Sequence, residues 1–376
     1  AARKLNEGQN IYRPPFINGL QYYYSVFFAL LLVPFSTTVF ITEIFWSLLS
    51  YFLLYRTLIL IETYFDFSEL SKTQYRIWLL LTSILSVQFI LYNVTLIQVT
   101  FFLLWAIFES INLLFKGKNV LGGLLLGLAI NIKLMPVLLL PYLFYRGYFK
   151  ALFFTIITFI ALLFLPSLFI GNNYNQFLLS EWWTIINPGN TEHMFETGIG
   201  THSLVALIPV YLTETAGDMA YKRNILNLNH QNTEIIINIV RLFIFSLSLL
   251  YLRSFPFKRE NNKLKSFWEI SYFVLMIPLL LPHQQKYAFI LAIPMVSYLI
   301  YFFITTIHYQ KTGGYYFALF LFVVSMLFYS PLYGTDVIGK FLFYFTQHYR
   351  FLTFSTLLII PISLYCSPGR LQSIKK

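Results

Sequence analysis

Apolar residues come in long runs along this chain, without strict alternation. Residues 22–35, 39–61, 77–92, 96–115, 122–146, 151–170, 235–252, 267–281, 287–307, 315–332 and 351–366 are each dominated by Leu, Ile, Phe, Val, Ala and Tyr. An apolar helix of about 20 residues is long enough to cross a bilayer. Backbone groups in lipid must be satisfied within the segment, and helices do this. A membrane barrel would show period-two alternation instead. The pattern predicts an all-α, polytopic integral membrane protein with about eleven transmembrane helices. One long polar region, 171–233, stands out among short polar joints, and loops of that length are usually functional. No soluble domain, internal repeat or low-complexity tract is visible, so residues 1–376 read as a single polytopic membrane domain.

Composition supports this class. Hydrophobic residues make up 58% of the chain and charged residues 11%. Aromatics reach 20%, which suits the interfacial belts of membrane proteins. The net charge of +11 is therefore not a nucleic-acid signal. It sits in the joints 146–150 and 253–265 and in the tail 370–376, which the positive-inside rule places in the cytoplasm. Alternation then puts 171–233 and 282–286 outside, together with 1–20 if 22–35 crosses. Lys116 and Lys118 fall outside against the rule, unless the chain turns back near Lys133. The lone Cys366 excludes an intrachain disulfide.

The run 122–146 carries the first candidate chemistry. Lys133 lies near its middle, and a lysine at bilayer depth costs about 2.5–3.5 kcal/mol on insertion scales. Such residues usually face a cavity or partner. Snorkelling to an interface is the plain alternative. Pro136 is expected to kink the helix, and Gly122, Gly123 and Gly127 to let neighbouring helices approach closely. A cation so placed suits an anionic group such as a phosphate.

The stretch Gly-Leu-Leu-Leu-Gly-Leu-Ala-Ile-Asn-Ile-Lys-Leu-Met-Pro, followed by a Leu-rich run, Pro-Tyr-Leu and Arg146, resembles a signature of glycosyltransferase family 87. Asn131 and Met135 depart from its commoner residues. Ala1-Ala-Arg-Lys-Leu with Ile11-Tyr12 resembles the family's first extracytoplasmic loop, which follows its first span. The family is a set of polyprenyl-phosphate-mannose-dependent mannosyltransferases of the GT-C superfamily. The resemblance thus implies a GT-C-like fold whose N-terminal span precedes this sequence. It also implies a catalytic base, an Asp, upstream of residue 1. Glu181, Glu192 and Glu196 would be poor substitutes for it.

Further residues gain meaning from the same resemblance. Pro282-His283-Gln284-Gln285-Lys286 interrupts an apolar stretch, and the family has a Pro-His motif there that lines the active site. His283 is the catalytic candidate, with Lys133 and Lys286 binding the donor phosphate. Gln284 and Gln285 depart from the motif, and a polar turn is the plain reading. His202 and Ser203, in Thr201-His202-Ser203-Leu204, resemble a substrate-contacting stretch of the family's large outer loop; loop structure is the default. Gln98, in Ile97-Gln98-Val99-Thr100, matches half of another family motif and is a further substrate-binding candidate, but buried Gln residues more often glue helices together. His193, Glu196 and His202 are of metal-ligating type, but their spacing fits no zinc pattern, so no metal and no cofactor is expected. No nucleotide-binding motif occurs.

The resemblance implies an inverting transfer of a hexose, mannose, from a polyprenyl-phosphate donor to a lipid or glycan acceptor on the extracytoplasmic side. The residues alone leave two other classes open: a transporter or flippase, and a polymerase or ligase of surface polysaccharide. Paired Trp182-Trp183 in the long outer region favours an enzyme that grips a polar acceptor. Transporters often show duplicated halves, and none is visible here.

Overall fold

The computed structural model describes residues 1–16, 21–68, 70–187, 190, 194–198, 200–217, 219–309 and 312–375. Among them the secondary structure is helical, apart from one isolated antiparallel bridge between Thr201 and Gln285. Among the described residues, five helices are long and apolar enough to cross a membrane: Phe40–Glu62, Lys72–Thr95, Phe149–Ile170, His230–Leu252 and Lys286–Thr306. A sixth arises if Phe351–Tyr365 and Pro368–Ile374, bent by 49°, count as one span. The expected eleven is therefore not reached by length and hydropathy. Several apolar runs form shorter helices instead, namely Val26–Phe35, Thr100–Phe115, Asn119–Ile132, Met135–Tyr145 and Gly313–Leu327.

The run 122–146 shows why. It is a broken helix, where a kinked one was expected. The helix Asn119–Ile132 stops at Lys133, whose backbone is extended (φ −148°, ψ 126°). A 3-10 turn, Met135–Leu139, follows, with Pro136 in its first positions, and then the helix Leu140–Tyr145. Proline has no N–H and its ring clashes with the carbonyl four residues back, here that of Ile132. At the start of a new helical turn those same properties are harmless. Pro136 thus ends one helix and opens the next, leaving Lys133 in the joint.

The chain divides into two compact units. The first comprises Ala1–Glu62, Ile97–Thr191 and Pro256–Arg259. Its centre is the Asn119–Ile132 helix, packed between Thr100–Phe115 and Phe149–Phe164. Glycines make that packing possible. A Cβ at Gly122 would meet Leu114 Cδ2 and Ser110 O at 2.9 Å, and one at Gly127 would meet Thr155 O at 2.6 Å. The close approach expected from the sequence is present. The N-terminal segment, with a short helix Ala2–Asn6, packs on the helix Asn172–Ile186 through Leu5, Ile11, Tyr12, Val26, Leu178 and Trp182. Trp182 is a core residue whose Nε1 donates to Tyr23 O (3.1 Å), whereas Trp183 is 57% exposed. The two tryptophans therefore do not act as a pair.

The second unit comprises Thr63–Leu96, Glu192–Phe255 and Glu260–Lys376. Its central helices are Lys263–Leu280, buried along almost its whole length, and Lys286–Thr306, 94% buried within the protein. Such helices are hydrophobic all round because protein, rather than lipid, covers them. Phe149–Ile170 of the first unit, 11% buried, is the opposite case, left uncovered for lipid. Polar side chains tie the second unit's helices to one another. Trp78 Nε1 donates to Ser297 O (2.9 Å), and Asn93 Nδ2 to Tyr287 O (2.9 Å). Between the two central helices lies the turn 281–285.

Candidate active site

Two stretches distant in sequence meet in the second unit. The Lys263–Leu280 helix gives way to extended backbone at Leu281, and His283 then adopts a left-handed conformation (φ 59°). This reverses the chain before Lys286 starts the next helix. The loop that precedes the helix Leu204–Leu212 pairs with this turn. Thr201 bridges Gln285, and His202 N–H donates to Gln284 O (2.8 Å). Thr353 Oγ1 donates to His202 O (2.6 Å) from another helix. The stretches 201–204 and 282–286 singled out in the sequence are therefore one structural element.

Glu196 holds them together. Its carboxylate accepts the ring of His283 at Nδ1 (2.6 Å) and the backbone N–H of the same residue at both oxygens (2.8 and 2.9 Å). Its own backbone is fixed from both sides: the N–H donates to Val205 O (3.1 Å), and the O accepts from Thr201 Oγ1 (2.6 Å). The Glu196 side chain is 9% exposed and that of His283 is 29% exposed.

Two buried cations lie in the same part of the unit. Arg350 is fully buried and donates to the carbonyls of Thr197 (2.8 Å) and Gly198 (2.7 Å), which shapes the loop. Lys286 is 5% exposed, and its ammonium lies over the rings of Tyr92 (5.0 Å), Tyr333 (5.1 Å) and Phe343 (5.4 Å). Ring faces attract a cation without neutralising its charge. The imidazole of His202 is buried among these groups, with Gln347 beside it. Burial, then the charges of Arg350 and Lys286, hold its pKa well below the ordinary histidine value, so it is neutral. Ser203 Oγ is buried and makes no hydrogen bond among the described residues. His202, Ser203, His283 and Lys286 thus share one place.

Lys133 and Gln98 belong to the first unit. Tyr24 joins them: its ring faces the Lys133 ammonium at 5.3 Å, and its hydroxyl donates to Gln98 Oε1 (3.0 Å). Trp46 Nε1 donates to Gln98 O (3.3 Å), and Ser25 Oγ to Asn131 Oδ1 (3.0 Å). Gln98 is thus tied to Tyr24 and Trp46. Lys133 is partly buried. Glu181, also in this unit, is taken up by Arg13 (2.6 Å) and Asn10 (2.9 Å). Those hydrogen bonds hold its carboxyl below the usual range, which weakens it as a base. Glu192 and His193 lie outside the described residues. Among the described residues no three His, Cys, Asp or Glu side chains are grouped to hold a metal ion.

Sequence reasoning had not singled out Tyr24 or Arg350, nor the pairing of Glu196 with His283. Tyr24 is one of 28 tyrosines, and nothing local marks it. Arg350 carries a weak signal, as a charge directly before an apolar run.

A sequence model of glycosyltransferase family 87 matches residues 22–217, just over half of the chain. This chain belongs to glycosyltransferase family 87. No curated protein and no solved structure matched it. The matched residues of this family 87 member include Gln98, Lys133, Glu196, His202 and Ser203, whereas His283 and Lys286 lie beyond them. With its all-helical architecture and apolar helices of spanning length, the protein is a glycosyltransferase of the membrane.

Proposed function

We propose that this family 87 enzyme transfers a hexose, mannose, from a polyprenyl-phosphate donor to a lipid or glycan acceptor on the extracytoplasmic side. The observation that carries this reading is the pairing of 201–202 with 284–285, which gathers His202, His283 and Lys286 beside Arg350 and Glu196. The acceptor hydroxyl attacks the sugar C1 as a general base takes its proton. The bond from C1 to the phosphate oxygen breaks with inversion, and its electron pair stays on the phosphate. That leaving group requires nearby positive charge more than a strong acid. Lys133, Lys286 and His283 are the candidates to supply it. His202, Ser203 and Gln98 are assigned to substrate. The distribution of basic joints supports an outward-facing site.

The test uses purified enzyme, labelled polyprenyl-phosphate-mannose, the glucose equivalent, and nucleotide-linked mannose, with membrane lipids as acceptor. Transfer is expected from the lipid-phosphate mannose alone. Lys133→Ala and Lys286→Met should each lower the rate by about 10²–10³-fold while still inserting. Transfer from the nucleotide sugar, or near-normal turnover by both variants, would remove the reading.

A further inference from the structure

In the second unit, the segment Thr335–His348 presents faces that differ in kind. Its backbone turns at Gly339 (φ 77°, ψ 158°), so the regular helix covers 340–348. Residues three or four apart share a helix face. Phe343, Thr346 and Gln347 make the inner face. The Phe343 ring meets the Lys286 ammonium (5.4 Å), the hydroxyls of Thr346 and Tyr333 pair, and Gln347 Nε2 donates to the Tyr333 hydroxyl (3.3 Å). Lys340, Phe341 and Tyr344 make an exposed face beside it.

The loop 213–228 turns that exposed face into a cleft. Arg223 donates to Ala216 O (2.6 Å), Thr215 Oγ1 (3.2 Å) and His348 O (3.4 Å), and His348 Nε2 donates to Tyr221 O (2.8 Å). The loop is thereby pinned to the end of the helix, with the Tyr221 ring edge-on to Phe341 (6.5 Å) and Phe345 (6.4 Å). The cleft measures about 540 Å³ and is lined by Met219, Ala220, Tyr221, Lys340, Phe341 and Tyr344. Its walls are apolar and aromatic apart from one cation. Among the described residues no carboxylate pairs with Lys340.

What covers this face follows from its continuity with an apolar stripe. On the helix Gly313–Leu327, Tyr316, Phe320, Val323 and Leu327 recur at helical spacing, and each is more than half exposed. In a membrane protein such a stripe is left for lipid. Leu332, Val337 and Phe341, exposed to the same degree, continue it beyond the end of that helix. Ring contacts hold the segment there: Phe328 meets Tyr333 (5.4 Å) and Phe351 (5.4 Å), and Phe345 meets Phe351 (6.2 Å). Phe351 begins the next apolar helix, Phe351–Tyr365. The ends of membrane helices mark the bilayer boundary, where aromatic rings and a long lysine stem both gain by lying half in lipid. We propose that 340–348 is an interfacial helix, with Phe341 and Tyr344 seated in the acyl boundary and Lys340 binding the phosphate of a bilayer phospholipid in the cleft. Because Phe343 of the same helix meets the Lys286 ammonium, the depth of this helix also sets the depth of the candidate site. That depth is measurable without turnover, so it stands or falls apart from the donor reading.

The first experiment uses the full chain carrying Cys366→Ser, in nanodiscs of phosphatidylcholine and phosphatidylglycerol. Nitroxide labels on Phe341→Cys and Tyr344→Cys are compared with labels on Phe320→Cys, in the apolar stripe, and Asn261→Cys, in an exposed polar joint. Collisions with oxygen, which concentrates in lipid, and with a nickel chelate, which stays in water, read the depth. The oxygen-to-nickel ratio at 341 and 344 should lie near that at 320 and well above that at 261. A ratio equal to that at 261 would overturn the proposal. So would protection from both reagents, which would give the face to protein, such as a second copy of this chain. The second experiment follows lipid retention by native mass spectrometry. Wild type should hold about 5-fold more phosphatidylglycerol than Lys340→Gln, the worth of one lysine near a lipid surface. Diacylglycerol, which has no phosphate, should be held equally by both. Equal retention of phosphatidylglycerol would overturn the phosphate contact. Loss of the difference when equimolar polyprenyl phosphate is added would also overturn it, by giving the cleft to a lipid substrate.

Discussion

Replacing Gly127 by alanine tests whether the glycine-lined packing around the central helix of the first unit is as tight as it looks. An added Cβ would lie 2.6 Å from Thr155 O and 2.7 Å from Thr158 Cβ, against ordinary contacts of 3.4 Å or more. Thr155 O is a backbone atom, so no side-chain rotation relieves the clash. The Phe149–Phe164 helix has to retreat by about 1 Å, a gap that forfeits roughly a quarter to a half of each facing contact. Overpacking of this kind costs about 1–3 kcal/mol, and a clash with fixed backbone belongs at the upper end. Alanine returns about 1 kcal/mol through its better helix propensity. The net loss is then about 2 kcal/mol, roughly a 30-fold fall in the folded-to-unfolded ratio. Thermal unfolding in detergent, followed by tryptophan fluorescence, reads this as a drop in midpoint. Gly313→Ala is the control, because a Cβ there meets nothing within 4 Å, and its midpoint should be unchanged or slightly raised. Lys133 follows the same helix directly, so transfer by Gly127→Ala should fall along with stability. A Gly127→Ala midpoint equal to that of Gly313→Ala would refute the packing argument.

Two further outcomes are expected. His202 is buried and neutral, with its folded pKa depressed, while the unfolded chain binds a proton below about pH 6.5. Its stabilising contribution is therefore complete above pH 6.5 and is lost as pH falls below that value, by up to about 1.4 kcal/mol per pH unit. Melting at pH 7.5, 6.5 and 5.5 should show a steeper acid decline in wild type than in His202→Asn; parallel curves would place His202 in contact with water. For topology, Cys366 is buried, and a Cys366→Ser background removes it altogether. Asn190→Cys should then react with an impermeant maleimide in intact cells while Asn261→Cys does not, and the reverse labelling would invert the assigned sides.

Much of the architecture was legible from hydropathy, because in lipid a helix announces itself by apolar length alone. The number of spans was less so. The same apolar run can be one crossing or two short helices, and a single proline decides between them. At Pro136 the sequence suggested a kink, whereas the chain breaks at Lys133. Glycine spacing in 122–127 was a reliable sign of close packing, since a hydrogen in place of a Cβ has few other uses inside a helix.

By itself the sequence determined that this is an all-helical membrane protein and that it resembles family 87, and it marked Lys133, His202, His283 and Lys286 as candidates for its chemistry. Tertiary structure alone decided which of these residues meet. His202 and His283 are about eighty residues apart, and only the bridge from Thr201 to Gln285 makes them neighbours. Glu196 looked like a spare carboxylate in a polar loop, yet its hydrogen bonds to His283 span 87 positions. Gln98 and Lys133 are joined through Tyr24, a residue that no local pattern marks. The physical reason is the range of the forces involved. Hydropathy and backbone sterics act within a few residues and can be read in order along the chain. Hydrogen bonds and ion pairs act across a few ångströms of space, so they exist only once the helices have chosen their neighbours.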